Sequence, residues 1–179
     1  ARACAVLTGI GTVLEDNPRL DVRLVDTPRQ PIRVLVDSRL QVPLDAHILR
    51  ATPPLYIYAA EQNDAKKSAL EALGATVIHL PNAQGKVDLE AMLRDLGARQ
   101  INELHIEAGA KLNGSLIRAG LVDEFLVYLA PQLIGAGRGM AEFGPLAALS
   151  DATPLSFEST TLVGPDLRIL ARIPGRDTF

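Results

Sequence analysis

Short apolar runs rich in β-branched residues alternate along the chain with stretches whose apolar positions recur every third or fourth residue. The runs are Ala5–Thr8, Ile32–Asp37, Leu55–Ala59, Thr76–Leu80, Glu103–Glu107 and Glu124–Ala130. Near-continuous apolarity over such short lengths predicts strands covered on both faces, as in parallel sheets. Between them, Asp64–Leu73 opens on an acidic cap and stops before Gly74. Asp88–Leu96 sets Leu89, Met92, Leu93 and Leu96 on one face ahead of Gly97, and Leu112–Ala119 ends at Gly120. These are helix signatures with glycine stops. The alternation predicts an α/β fold: a mostly parallel sheet flanked by helices.

The end of the chain has a different pattern. Phe157–Leu162 and Leu167–Ile173 are strand-like and are joined by Val163-Gly164-Pro165-Asp166, which is turn chemistry. A C-terminal antiparallel hairpin is expected there. Gly135–Gly144 holds four glycines without periodicity and is expected to be a loop. No repeat or low-complexity tract interrupts the chain, so residues 1–179 read as one domain.

Composition narrows function more than fold. Of 179 residues, 47% are hydrophobic and 22% charged, which is ordinary globular usage and leaves enough apolar surface to offset chain entropy. Eighteen Lys and Arg against 21 Asp and Glu give a formal charge of −3. That balance, with four Phe, three Tyr and no Trp, argues against a nucleic-acid partner. No apolar run approaches the roughly 18 residues that span a bilayer, so no membrane partner is expected. One cysteine, Cys4, permits neither an intrachain disulfide nor a multi-cysteine metal site, and it fits a reduced, cytoplasmic compartment. His47, His79 and His105 show no metal-ligand spacing. His105 lies within a strand and reads as a structural residue. A nucleophile elbow of the Gly-x-Ser-x-Gly type is absent, so hydrolysis is unsupported.

Ligands of open α/β sheets gather beyond the carboxyl ends of strands. After the first run, Gly9-Ile10-Gly11-Thr12 lets backbone approach a ligand, Asp16 follows about one helical turn after Thr12, and Pro18 ends the segment. A plain strand–turn–helix connection explains the same residues. After the second run, Ser38-Arg39 would seat a phosphate or simply form an exposed turn. After the fifth, Glu107-Ala108-Gly109-Ala110-Lys111-Leu112-Asn113-Gly114-Ser115 opens a helix whose N-terminal amides suit an anion. It is neither the three-glycine dinucleotide fingerprint nor a P-loop.

Three strings, in order, resemble the reductase domain of the bifunctional deaminase–reductase of riboflavin biosynthesis. They are Ala5-Val-Leu-Thr-Gly-Ile-Gly-Thr-Val-Leu-Glu-Asp-Asn-Pro18, Pro31-Ile-Arg-Val-Leu-Val-Asp-Ser38 and Ile106-Glu-Ala-Gly-Ala-Lys-Leu-Asn-Gly-Ser115. Gly120-Leu-Val-Asp-Glu-Phe125, Ala130-Pro131 and Val163-Gly-Pro-Asp166 also fit, so the resemblance runs to about Ile173. It implies a dihydrofolate-reductase-like fold. It also implies NADPH-dependent reduction of a pyrimidine ribosylamino 5′-phosphate to the ribitylamino compound, with hydride delivered to the anomeric carbon of the opened sugar imine.

By resemblance, Thr12 and Asp16 match cofactor contacts, Ser38 matches a position near the adenosine end, and Gly109, Ala110, Lys111, Leu112, Asn113, Gly114 and Ser115 match the turn that holds the cofactor phosphates. Leu20, Arg23 and Glu107 match substrate contacts, and Arg23 suits the 5′-phosphate chemically. Asp16 and Glu107 are the candidate catalytic carboxylates, with no base assigned. Arg39 is a candidate partner for the cofactor's 2′-phosphate on charge and placement alone. The strings that open the reductase domain in this family, a Lys-bearing strand with Ser-Leu-Asp-Gly and then Trp-Ile-Thr-Gly, do not occur here, nor does the deaminase zinc signature. The 179 residues are therefore expected to be part of a longer chain, lacking the first strand and the upstream deaminase domain. A stand-alone reductase of a diamino form of the substrate, and a nucleotide-binding module without turnover, are the alternatives. The family implies a homodimer or higher homo-oligomer, with the apolar strands Glu124–Ala130 and Leu167–Ile173 as candidate pairing edges.

Overall fold

The apolar runs of the first half become five parallel strands. In this computed structural model, which describes residues 3–50, 55–142 and 144–175, they are β1 (Ala5–Gly9), β2 (Ile32–Val36), β3 (Leu55–Ala59), β4 (Thr76–His79) and β5 (Leu104–Ile106). The chain divides into two compact units, Ala1–Gly109 and Ala110–Phe179. The division falls inside the turn after β5, where no change of composition marks it.

In the first unit the sheet order is β4-β3-β2-β1-β5, with every pair parallel. Period-two alternation sends Leu35, Leu55, Ile57 and Ala59 to one face, where they pack with Val42, Ile48 and Leu70. Leu70 belongs to helix α2 (Asp64–Ala72). Each buried Leu or Ile there contributes roughly 1.5–3 kcal/mol. The opposite face carries Tyr58, whose hydroxyl donates to Asp95 Oδ2 at 2.6 Å. Asp95 lies on helix α3 (Leu89–Ala98) and also accepts from Arg99 Nε at 2.8 Å. Arg99 in turn stacks 4.8 Å over the Tyr56 ring. Burial and the Asp95 carboxylate push the Tyr58 phenol far above its ordinary range. Helices thus cover both faces, which is why these strands read as continuous apolar runs.

Two helix ends differ from expectation. Asn63, one residue before the expected acidic cap, caps α2 by accepting from the Lys66 amide at 2.9 Å. Gly97 does not stop α3; the helix runs to Ala98, and Gln100 takes the left-handed conformation at φ 64°. A mid-helix glycine costs only about 1 kcal/mol, so burial of Met92 and Leu96 decides the helix length. Asp88 caps α3, accepting from the Ala91 amide at 2.9 Å.

The second unit holds helix α4 (Ala110–Arg118) and strands β6 (Glu124–Leu129), β7 (Ser156–Val163) and β8 (Asp166–Arg172). These form a separate antiparallel sheet in the order β6-β8-β7. The expected hairpin is β7–β8, closed between Val163 and Asp166 with Gly164 at φ 61°. A positive φ followed by proline matches a type II′ loop. Strand β6 was expected among strands covered on both faces. Instead it pairs antiparallel with β8, fastened by Arg172 to Glu124 at 2.8 Å, and only Phe125 and Val127 are partly buried. Leu126, Tyr128 and Leu129 sit on exposed positions and hide the half-covered alternation from a reading of the sequence. Strand β8 is internal, so the edges of this sheet are β6 and β7 rather than β6 and β8. No described helix is long and apolar enough to cross a membrane.

Candidate active site

The sheet order fixes where a ligand can enter. From β1 the chain steps outward through β2, β3 and β4, then returns to place β5 on the other side of β1. The carboxyl ends of β1 and β5 are therefore adjacent, and it is beyond such strand ends that open α/β sheets bind ligands. Buried Thr8 fastens this junction: its Oγ1 donates to the Glu107 carbonyl at 2.7 Å, and the Glu107 amide donates to Leu7 at 2.9 Å.

Helix α1 (Ile10–Asp16) leaves β1 directly, with extended Gly9 at its N-cap and no side chain capping it. Half-buried Thr12 sits over Gly109: a Cβ added to Gly109 would lie 3.9 Å from Thr12 Oγ1. The bare backbone of the β5 turn and the Thr12 hydroxyl thus face one another. Asp16, at the end of α1, is exposed and has no hydrogen-bond or ion-pair partner among the described residues. Asn17 ends α1 in the left-handed region, its amide donating to Val13 at 3.1 Å and its side chain accepting from the His47 amide at 2.8 Å.

The segment after Pro18 forms a groove of about 400 Å³ lined by residues 18–25 and by Glu107. This brings Leu20, Arg23 and Glu107 to one place, and the volume is that of a small-molecule site. Leu20 stands at φ 53°, a conformation a leucine adopts only where its surroundings hold it, and its side chain packs on the core cluster. Gln30 clamps the segment: its Oε1 accepts from the Val22 amide at 2.7 Å and its Nε2 donates to the Val22 carbonyl at 2.8 Å. Arg23 pairs with Asp21 at 2.5 Å and remains exposed.

Glu107 is exposed and contacts His105, Nε2 to Oε1 at 3.1 Å. That hydrogen bond raises the His105 pKa and lowers that of Glu107, each favouring the charged form of the other. Neither His105's contact nor the Gln30 clamp was singled out in the sequence. The signal for His105 was present, since residues two apart on a strand share a face; Gln30 offers no local signal.

Other candidate residues lie elsewhere. Ser38, after β2, accepts from the Val87 amide at 3.3 Å, and its carbonyl accepts from Ala60 and Glu61 at 3.0 and 2.8 Å. Arg39 reaches Glu61 at 3.5 Å. Ala110 to Ser115 open α4 in the second unit, with Lys111 exposed and Leu112 half-buried. There the Glu142 amide donates to the Ala110 carbonyl at 2.8 Å, Asn113 Nδ2 donates to Met140 at 2.9 Å, and Ser115 Oγ donates to Lys111 at 2.9 Å. Gly114 is packed so closely on the Glu142 backbone that no Cβ fits. Among the described residues no group of three metal-ligating side chains occurs.

A carboxylate held by an imidazole, a guanidinium and a bare turn at the switch point can hold a polyhydroxylated anion. Comparison with known proteins gives this geometry a context. The family model described as the RibD C-terminal domain matches residues 1–169. The chain is 36% identical over 180 residues to riboflavin biosynthesis protein RibD of Escherichia coli, covering 93% of this chain and 48% of that protein. It is 32% identical over 179 residues to 2,5-diamino-6-ribosylamino-4(3H)-pyrimidinone 5′-phosphate reductase of Methanothermobacter thermautotrophicus, covering 97% of this chain and 82% of that protein. Among solved structures, Acinetobacter baumannii RibD superposes with a TM-score of 0.82 at 28% identity, over 95% of this chain and 47% of that one. The chain spans about half the length of the RibD proteins it matches.

Proposed function

The chain belongs to the RibD C-terminal domain family, and from that premise we propose that it is the reductase that converts 5-amino-6-(5-phosphoribosylamino)uracil to its ribitylamino form with NADPH. The substrate is that of a relative from Buchnera aphidicola named for this reduction, 26% identical over 95% of this chain. The observation that carries the proposal is the single groove at the β1/β5 switch point shared by Leu20, Arg23 and Glu107.

The residues fit the cofactor on their chemistry. Thr12 offers a hydroxyl beside the uncovered backbone at Gly109, and the first-turn amides of α4, Ala110 to Asn113, favour anionic phosphate. Asp16, Ser38, Gly114 and Ser115 complete the proposed cofactor set. When bound, NADPH supplies hydride. Arg23 binds the 5′-phosphate and Leu20 packs on the substrate. Glu107 accepts from sugar hydroxyls and, with Asp16, favours the positive charge that develops as the sugar opens to its imine. A diamino form of the pyrimidine is the second substrate to test, because the archaeal relative named for it spans almost the whole of this chain.

Oligomerisation is part of the proposal, with β6 as the pairing edge, supported by exposed Leu126, Tyr128 and Leu129. Sedimentation at monomer mass speaks against it. The cofactor assignment is tested by calorimetric titration of NADPH and NADH. Binding that favours NADPH, weakened in Thr12→Val, is expected; absence of binding to either rejects it.

A further inference from the structure

Glu107 lines the groove from the end of β5, with Asp21 the other carboxylate of its lining, and its backbone is pinned on both sides: its amide to Leu7 and its carbonyl to Thr8. Its remaining freedom lies in the side chain. His105, two residues earlier on β5, projects from the same face and reaches Glu107 Oε1 through Nε2 at 3.1 Å. Both side chains are near half-exposed, 41% for His105 and 59% for Glu107, so His105 is not a core residue serving the fold. Among the described residues, His105 Nδ1 and Glu107 Oε2 have no hydrogen-bond partner.

We propose that His105 is a positioning residue: its Nε2–H holds one oxygen of Glu107 and leaves the other as the acceptor offered to the hydroxyls of a substrate in the groove. This inference rests on the groove being the substrate site. A glutamate ordered in advance loses less rotamer freedom on binding. Pairing with imidazole also keeps Glu107 ionised and therefore an acceptor only. Glu103, just before β5, adds a second negative charge that favours the imidazolium, while Val6, the β1 partner of His105, is apolar.

The test compares His105→Phe, which keeps the ring and removes the donor, with His105→Gln, which places an amide N–H at similar reach. In the free chain, the carboxyl carbon of Glu107 is titrated by NMR; with the phosphoribosylaminouracil substrate, KM and kcat are separated. In His105→Phe the Glu107 titration moves to higher pH and KM rises roughly fivefold, the scale of an exposed charged hydrogen bond, with kcat within about twofold. His105→Gln restores KM. If the aromatic side chain disturbs the strand, His105→Leu removes the donor with less bulk. An unchanged titration and KM without the donor, or a His105→Gln enzyme no better than His105→Phe, overturns the proposal. An inactive wild-type chain rejects the proposed function instead, and the carboxyl titration, which needs no substrate, still decides the pairing.

Discussion

The Thr8 hydroxyl donates to the Glu107 carbonyl at 2.7 Å, so the strand that starts the switch point holds the residue that lines the groove. Thr8→Val keeps the shape and removes the donor. Losing this part-buried hydrogen bond costs about 0.5–1.5 kcal/mol. Denaturant unfolding is expected to show that loss, and Thr8→Ser, which keeps the hydroxyl, to recover most of it. A Thr8→Val protein as stable as wild type would mean that strand pairing alone fixes β5.

Two helical glycines give opposite expectations. Gly97 has helical backbone and open space around an added Cβ, so Gly97→Ala should stabilise by about 0.5–1 kcal/mol. Gly114 lies against the Glu142 backbone, and Gly114→Ala must displace that segment or the helix. Overpacking of this sort costs about 1–3 kcal/mol. Thermal melts of the two variants should shift in opposite directions. A shift of the same sign in both would contradict the packing of the Glu142 backbone on α4.

Asp37 supplies a pH signature. It is fully buried, and its Oδ2 accepts from the Val42 amide at 2.8 Å. Burial raises its pKa despite the backbone amides of Gln41, Val42 and Arg39, which favour the charged form. The folded chain therefore binds a proton more tightly at this site than the unfolded chain, whose carboxyl titrates near about 3.9. Between that value and the raised folded one, this site makes stability fall as pH rises. Asp37→Asn should remove this component of the slope. Asp37→Ala should remove the same slope and be less stable than Asp37→Asn by about 1–3 kcal/mol, because the Val42 amide is left without its acceptor. Urea unfolding at several pH values separates the two, and an unaltered slope in Asp37→Asn would refute the assignment.

Arg23 carries the phosphate prediction. Its guanidinium is exposed in the groove beside Asp21. Arg23→Gln is expected to raise KM for the phosphorylated substrate about tenfold, the scale of a charge-assisted contact, and to leave NADPH affinity unchanged. Equal KM in wild type and variant would place the phosphate elsewhere.

Much of the fold was legible in the chain because burial and periodicity coincide in the first unit. Leu55–Ala59 has the same bounds in sequence and structure, being a run buried at every position but the half-buried Tyr56. Strand β6 shows the limit: Glu-Phe-Leu-Val-Tyr-Leu is apolar on both faces, so a half-exposed antiparallel strand imitates a buried parallel one. At the site, the strings around Thr12 and Glu107 stood out, and strand ends are where an α/β sheet places ligands. The groove itself did not, because its walls depend on Gln30 clamping Val22 and on Leu20 adopting a positive φ, neither of which has a sequence period. His105 reads as structural from its place within a strand, yet that same place sets it beside Glu107.

The most direct measurement is NADPH oxidation by the purified chain with 5-amino-6-(5-phosphoribosylamino)uracil, with the product identified by mass. The expected result is substrate-dependent oxidation, a product heavier by one hydride and one proton, and a markedly slower reaction in Glu107→Gln. Absence of oxidation by a chain that binds NADPH, or turnover untouched by Glu107→Gln, would contradict the assignment of the groove as the site of reduction.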